Sequence, residues 1–173
     1  MFFSVIPAYA GMTKRRMPLA LQARRCVMAM DKIKNCMKIS AQANGASTAL
    51  LVVRLLVGIA LMIHGWGKIQ NPFGWMSPDS PVPGILQFLA AISQFGGGAA
   101  LIAGLLTRLA SLGLLITMMG ADVFHLAKGH PFVASGLGQP SYEIATLYFA
   151  ISLIFLLIGP GKFSADAKIF GTN

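Results

Sequence analysis

Five ionisable residues lie at the ends of long apolar segments, where they could exchange protons. His64 and Lys68 end the first segment, Asp122 and His125 end the third, and Glu143 begins the fourth. Ionisable groups are costly within a membrane, and imidazole titrates near neutral pH. Asp122 and His125 are three residues apart and therefore share one face of a helix. We predict a catalytic, proton-exchanging cluster formed by Glu143, His64, Asp122 and His125.

Such a cluster suits a quinone headgroup, whose reduction takes up protons. Lys68, Trp66 and Tyr142 are predicted to contact the quinone, because they lie at the same level as the cluster. In the alternative interpretation, these groups are paired or hydrated at the lipid headgroup level and only fix helix ends. Axial haem ligation by His64 and His125 is a weaker alternative, because nothing else marks a haem pocket. No metal site is predicted.

The stretch that must position these residues is Ile85–Ala121, in which Arg108 is the single charge. A bilayer core takes about 20 helical residues, so this stretch is long enough for two crossings. Leu106–Leu109 is its polar turning point. The sequence therefore predicts an all-α, four-helix transmembrane bundle with a short hairpin between helices 2 and 3. The predicted spans are Ser47–Ile69, Ile85–Leu106, Leu109–Leu126 and Tyr142–Ile158.

Two loops rich in proline or glycine, Asn71–Gly84 and Lys128–Ser141, join the remaining spans. We call the end of the bundle that carries them the loop end, and the opposite end the hairpin end. Four spans place both termini at the hairpin end. The positive-inside rule makes that end cytoplasmic, because most basic residues precede the first span. The bacterial inner membrane is the expected location, and the lipid bilayer is the first expected partner.

Composition supports a membrane protein and argues against a nucleic-acid partner. Hydrophobic residues make up 55% of the 173 residues and charged residues 11%, against a usual charged fraction of about 25%. The net charge is +9, but eight of the fourteen basic residues lie before residue 47. No groove-reading motif accompanies them. We expect three regions: a basic, disordered arm (1–47), a transmembrane domain (48–166) and a polar tail (167–173).

The arm carries the two cysteines of the chain, Cys26 and Cys36, whose spacing matches neither a redox pair nor a zinc motif. Thiol chemistry within the apolar body is therefore excluded for this chain alone. The stretch Ser4–Arg16 resembles translated intergenic repeat sequence. The alternative translation starts are Met28, Met30 and Met37.

Polar groups near the hairpin end suggest a structural role. Asp166 can fold back to form an ion pair with Arg54 or Arg108. Gln94, at mid-depth in the second span, is interpreted as an interhelical hydrogen-bond donor or acceptor. Small residues recur every four positions and predict close helix packing. They are Gly96, Ala100 and Gly104 in the second span, and Gly113, Thr117 and Ala121 in the third.

An ordered set of short motifs between Leu50 and Asp166 resembles the DoxX family of small four-helix bacterial membrane proteins. The motifs are Arg54-Leu-Leu-Val-Gly58, His64-Gly-Trp-Gly-Lys68, Gly96-Gly-Gly, Gly104-Leu-Leu-Thr-Arg108, Tyr142-Glu143 and Gly159-Pro-Gly-Lys-Phe-Ser-Ala-Asp166. The resemblance implies a role associated with redox enzymes. One departure is Gln94, where the family often has glutamate, and it weakens the case for turnover.

Two functions remain open at this stage. The first is a redox-associated membrane subunit with a quinone-facing site. The second is a non-catalytic scaffold that recruits a soluble oxidoreductase through its loops or its basic arm. No intrinsic cofactor is evident, because flavin, dinucleotide and iron–sulfur motifs are missing from the sequence. Electron transfer would therefore need an oxidoreductase partner. A homo-oligomer is a further expectation.

Overall fold

The computed structural model describes residues 43–136 and 138–171, together with residues 24, 27 and 28. The chain divides into two compact units, Met1–Cys36 and Met37–Asn173. The helices described below all belong to the second unit. Almost all of the predicted basic arm, including both cysteines, and the last two residues of the predicted tail lie outside the described residues.

Five helices make up the described part of this unit, and within it there is no strand. They are α1 (Asn44–Gln70), α2 (Gly84–Ala103), α3 (Thr107–Ala127), α4 (Glu143–Ile158) and the short α5 (Ala165–Phe170). The first four match the predicted spans to within three residues at either end. Apolar runs bounded by proline and glycine therefore predicted both the helices and their order.

Three of the described helices, α1, α2 and α3, are long and apolar enough to cross a membrane. The fourth, α4, has 16 residues and is about 24 Å long, somewhat less than a hydrocarbon core of about 30 Å. Large apolar side chains on these helices point outward, as Leu56, Ile63 and Leu157 show. Polar side chains such as Gln94, Ser111 and Ser152 are buried instead. This inverted distribution is what a bilayer requires, so the protein is an integral membrane protein.

Consecutive helices pack side by side, α1 on α2, α2 on α3 and α3 on α4. The shared core contains Val57, Leu61, Leu101, Leu114, Met118 and Phe155. At the α1–α2 crossing, a Cβ placed on Gly98 would lie 2.7 Å from the carbonyl oxygen of Gly58. The two backbones thus approach as closely as glycine permits.

The predicted packing role of Gly96 is wrong. Gly96 is exposed, and a Cβ there would have only Ile92 nearby, at 3.9 Å. The next two glycines face the neighbouring helices instead, with Gly97 against Leu114 and Gly98 against Gly58. Helix rotation, which spacing alone does not define, decides which glycine meets a neighbour.

The hairpin turn lies slightly earlier than predicted, between Ala103 and Thr107. Gly104 adopts the left-handed conformation (φ 65°), and the amide of Leu105 bonds to the carbonyl of Ala100 at 3.0 Å. Glycine at this position is the usual end of a helix in a Schellman motif. Leu106 also has positive φ (47°), which costs about 1–2 kcal/mol for a residue with a side chain.

Candidate functional site

The loop end brings polar groups of four helices together through a series of contacts. On α1, the ring of His64 meets the ring of Tyr148 on α4 edge to face, with centroids 6.2 Å apart. One turn later, the ammonium of Lys68 donates a 2.7 Å hydrogen bond to the side-chain oxygen of Gln94 on α2. The same ammonium lies 4.4 Å from the ring centroid of Trp75. The interhelical role predicted for Gln94 is confirmed.

Asp122 links α3 to α4. Its carboxylate accepts a 3.2 Å hydrogen bond from the hydroxyl of Thr146, which also bonds to the carbonyl of Tyr142 one turn earlier. The carboxylate is half-buried at the level where α4 begins. Asp122 thereby joins the end of α3 to the start of α4.

His125 is joined to His130, a residue that the prediction did not include. Their Nδ1 atoms are 2.8 Å apart and their ring centroids 5.0 Å apart. His130 is placed by the tight turn that ends α3, where its own amide bonds to the carbonyl of His125 at 3.1 Å. Its spacing of five residues from His125, across Lys128-Gly129, was the available signal. A glycine after a helix end commonly reverses the chain.

Glu143 is the first residue of α4, and its amide donates to the carbonyl of Phe132 in the loop before it. Its carboxylate is half-buried and makes no hydrogen bond within the described residues. Tyr142 packs its ring against Phe132, with centroids 5.2 Å apart. Trp66, by contrast, packs on Phe95 of α2 and is 58% exposed. The two aromatic residues predicted to contact a quinone therefore lie against different elements.

The loop end also has a cavity of about 280 Å³. Its lining consists of Met76, Ser77, Asp79, Ser80, Phe124 and Lys128. None of the four residues of the predicted catalytic cluster lines this cavity. Each of the four has its own contact instead. His64 and Asp122 contact residues of α4, and His125 contacts the loop after α3. The amide of Glu143 bonds to that same loop.

A buried glutamine that the prediction missed holds the loop between α1 and α2. The side chain of Gln87 accepts from the amide of Met76 at 3.0 Å and donates to the carbonyl of Val82 at 2.9 Å. Its backbone carbonyl accepts from the indole of Trp75. A single glutamine in the first turn of an apolar helix, beside a proline-rich loop, was the sequence signal. It places Trp75 beside Lys68.

At the hairpin end, Arg54 and Asp166 interact electrostatically, as predicted, but their hydrogen bonds go to other groups. Arg54 is 1% exposed and donates to the carbonyls of Pro160 (2.9 Å) and Phe163 (2.8 Å). Asp166 is 2% exposed, and its two oxygens accept from the amides of Leu106 and Thr107 at 2.7 and 2.8 Å. The side chain of Asp166 thus caps α3. Both residues fasten the segment after α4 to the bundle.

In chemical terms, the loop end supplies imidazole, carboxylate, phenol and ammonium groups beside apolar helix faces. Imidazole, carboxylate and phenol groups are side chains that general acid–base chemistry uses. Within the described residues, no group of three or more histidine, cysteine or acidic side chains is arranged to hold a metal ion. The described residues define a small, all-helical integral membrane protein whose loop end carries these groups.

Comparison with known proteins identifies the family to which this membrane protein belongs. Residues 49–127 match the DoxX family. Inner membrane protein YqjF of Escherichia coli is 33% identical over 122 residues, which cover 68% of this chain and 88% of that protein. "Uncharacterized membrane protein Rv3486" of Mycobacterium tuberculosis is 31% identical over 133 residues, 70% of this chain and 81% of its own. The chain belongs to the DoxX family.

A third relative, "Putative oxidoreductase CatD" of Bacillus subtilis, is 25% identical over 122 residues. The alignment covers 69% of this chain and 86% of that protein. No solved structure matches the chain at a significant level.

Proposed function

We propose that this protein is a redox-associated membrane subunit that presents a quinone-facing, proton-exchanging site at its loop end. The observation that carries the proposal is that α4, near the loop end, contacts ionisable side chains of both α1 and α3. His64 of α1 contacts Tyr148 of α4, and Asp122 of α3 is bonded to Thr146 of α4. The name of the oxidoreductase relative in Bacillus subtilis is consistent with this role.

The exposure of the cluster suits a substrate that arrives through the lipid. His64 is exposed on a helix whose outward side chains, such as Ile63 at 71% exposure, are apolar. A quinone can therefore approach α1 and α4 from the bilayer and place its carbonyl oxygens near imidazole and phenol donors. Apolar surroundings with a few convergent polar groups are typical of small-molecule sites.

Quinone reduction consumes two electrons and two protons and yields the quinol. The residues of the loop end would supply and replace the protons. The electrons would come from an oxidoreductase partner, since the sequence has no motif for a flavin or an iron–sulfur cluster. The protein would thus form the membrane-embedded part of a larger complex.

This function requires a defined orientation, and we propose that α4 is a fourth span and that the hairpin end is cytoplasmic. The basic residues before α1 favour that orientation. The name of the Escherichia coli relative supports the bacterial inner membrane as the location. The loop end would then face away from the cytoplasm.

Quinone binding can be tested through tryptophan fluorescence, because both tryptophans of the chain, Trp66 and Trp75, lie at the loop end. The protein in lipid nanodiscs is titrated with a short-chain ubiquinone. Saturable quenching is expected, with an apparent Kd about tenfold weaker in His64→Leu, equivalent to about 1.4 kcal/mol.

Two controls complete this experiment. Trp66→Phe and Trp75→Phe identify which indole reports binding. His130→Asn serves as a histidine variant whose contact partner, His125, lies on α3 rather than on α4. Quenching that rises linearly without saturation would mean simple partition into lipid. That result, together with a soluble oxidoreductase among the co-purifying proteins, would favour the scaffold function.

A further inference from the structure

We propose that His125 and His130 form a binding site for a single shared proton, and that a second proton releases the loop after α3. The two Nδ1 atoms face each other at 2.8 Å, which is a hydrogen-bond distance between nitrogens. One ring must therefore carry its proton on Nδ1 while the other presents a lone pair. The proposal does not depend on quinone chemistry.

Three protonation states of the pair have different consequences. In the neutral pair, one Nδ1–H donates to the other ring. In the singly charged pair, the donor is an imidazolium and the hydrogen bond is stronger. In the doubly charged pair, both Nδ1 atoms carry hydrogen and no acceptor remains. Contact at 2.8 Å is then impossible, and the rings must separate.

Separation of the rings breaks the side-chain contact that links the loop after α3 to the end of that helix. His130 follows directly on the turn that ends α3, and its amide bonds to the carbonyl of His125. Two residues later, Phe132 accepts from the amide of Glu143 at 3.0 Å and packs on Tyr142. The histidine pair therefore fixes one end of a segment whose other contacts hold the start of α4.

Charged groups on the surrounding elements set the balance. On α3, Asp122 lies one turn before His125 and favours a charged pair, although its carboxylate is bonded to Thr146. Lys128, whose ammonium lies 5.3 Å from the ring of Phe124, opposes a second charge. Glu143 at the start of α4 and Asp79 across the cavity are the remaining acidic neighbours. A negative charge on Asp122 and a positive charge on Lys128 therefore act on the pair in opposite directions.

The chain contains three histidines, so magnetic resonance of its imidazoles can test the proposal directly. Full-length protein with isotope-labelled histidine is titrated in nanodiscs from about pH 8 to about pH 5, which spans the usual range of imidazole. The variant His64→Asn removes the unpaired histidine and leaves the pair intact. The pair is expected to titrate in two steps separated by about one pH unit or more.

His130→Asn provides the complementary measurement. Asparagine can still hydrogen-bond to His125, but it does not titrate, so His125 should then show one simple step. The second titration step of the pair should then be absent. Two independent single-step curves in the His64→Asn protein would overturn the shared-proton site, and this outcome needs no variant of the pair itself.

Release of the loop is measured by hydrogen exchange, corrected for the intrinsic dependence of exchange on pH. Exchange in residues 128–136 should rise about fivefold as the second proton binds, as expected for loss of one hydrogen bond. Exchange in the 71–83 loop should stay constant, and His130→Asn should abolish the rise. Unchanged exchange through the second step would show that the pair binds protons without controlling the loop.

Discussion

The ammonium of Lys68 and the side-chain oxygen of Gln94 are joined by a 2.7 Å hydrogen bond between α1 and α2. Gln94 is 6% exposed, and the ammonium of Lys68 also lies against the ring of Trp75. A neutral acceptor therefore compensates a cation within a membrane span. Glutamate has nearly the same shape as glutamine and would supply a charged acceptor at the same position.

Replacing Gln94 by leucine should destabilise the bundle, because Lys68 would lose its acceptor. Interhelical hydrogen bonds in membranes contribute about 0.6 kcal/mol on average, and bonds to charged groups contribute more. We expect a loss of about 1–2 kcal/mol in the free energy of unfolding in detergent. Gln94→Glu should retain wild-type stability. Gln70→Leu, at an exposed position, is the control, and an equal loss there would refute the assignment.

The glycine triplet of α2 offers a matched pair of substitutions. Gly98→Ala should cost about 1–3 kcal/mol, because its Cβ would lie 2.7 Å from the Gly58 carbonyl oxygen and 3.0 Å from Met62. Gly96→Ala should be neutral or stabilising by about 0.5–1 kcal/mol, since its surroundings are open and alanine favours helix. Thermal unfolding in the same detergent compares them. Equal effects would contradict the observed helix rotation.

Asp166 should contribute to stability by capping α3. Asp166→Ala leaves the amides of Leu106 and Thr107 without their acceptor, and Leu106 already has an unfavourable backbone conformation. A loss of about 2 kcal/mol in unfolding free energy is expected. Lys168→Ala, at an exposed position on the same short helix, should have little effect. Stability within 0.5 kcal/mol of wild type for Asp166→Ala, roughly the noise of surface substitutions, would argue against the cap.

Arg54 and Asp166 should be coupled through the segment that they both hold. Arg54→Met removes the bonds to Pro160 and Phe163, so the segment after α4 is already released when Asp166 is also replaced. The double variant should be less destabilised than the sum, with a coupling of about 0.5–3 kcal/mol. The same cycle with Arg108→Met tests the ion pair expected from the sequence. Strict additivity in both cycles would show that neither arginine is energetically coupled to Asp166.

Glu143 is the first candidate for proton transfer in the proposed redox function. Glu143→Gln keeps the shape and start of α4 but removes the titrating group, so quinone-linked turnover of the co-purified complex should fall by about 10²–10⁴. Insertion, unfolding temperature and quinone-induced quenching should be unchanged. Asp79→Asn, an acid on the nearby cavity, is the control. Full turnover in Glu143→Gln would exclude this residue from catalysis.

Topology is open to a direct measurement. With α4 as a fourth span, reporter fusions at Asn173 and in the loop between α1 and α2 should report opposite sides, with Asn173 in the cytoplasm. An odd number of spans would place both reporters on the same side. A cytoplasmic signal from that loop would reverse the proposed orientation and move the candidate quinone site to the cytoplasmic face.

The sequence alone determined the helices and their order. Apolar runs of about 20 residues and the proline and glycine between them act locally, so α1–α4 matched their predicted bounds within three residues. The interhelical role of Gln94 was also predictable, because an isolated amide in an apolar helix requires a partner. The family followed from an ordered set of short motifs.

The tertiary structure decided which residues meet. Helix rotation selected Gly98 rather than Gly96 for the closest packing, since both fit the same run of small residues. The partners of Arg54 are backbone carbonyls more than 100 positions away, which side-chain chemistry does not reveal. His130 joined His125 because a turn after α3 reverses the chain. These contacts depend on the relative rotation of helices and the paths of loops, which are properties of the folded chain as a whole.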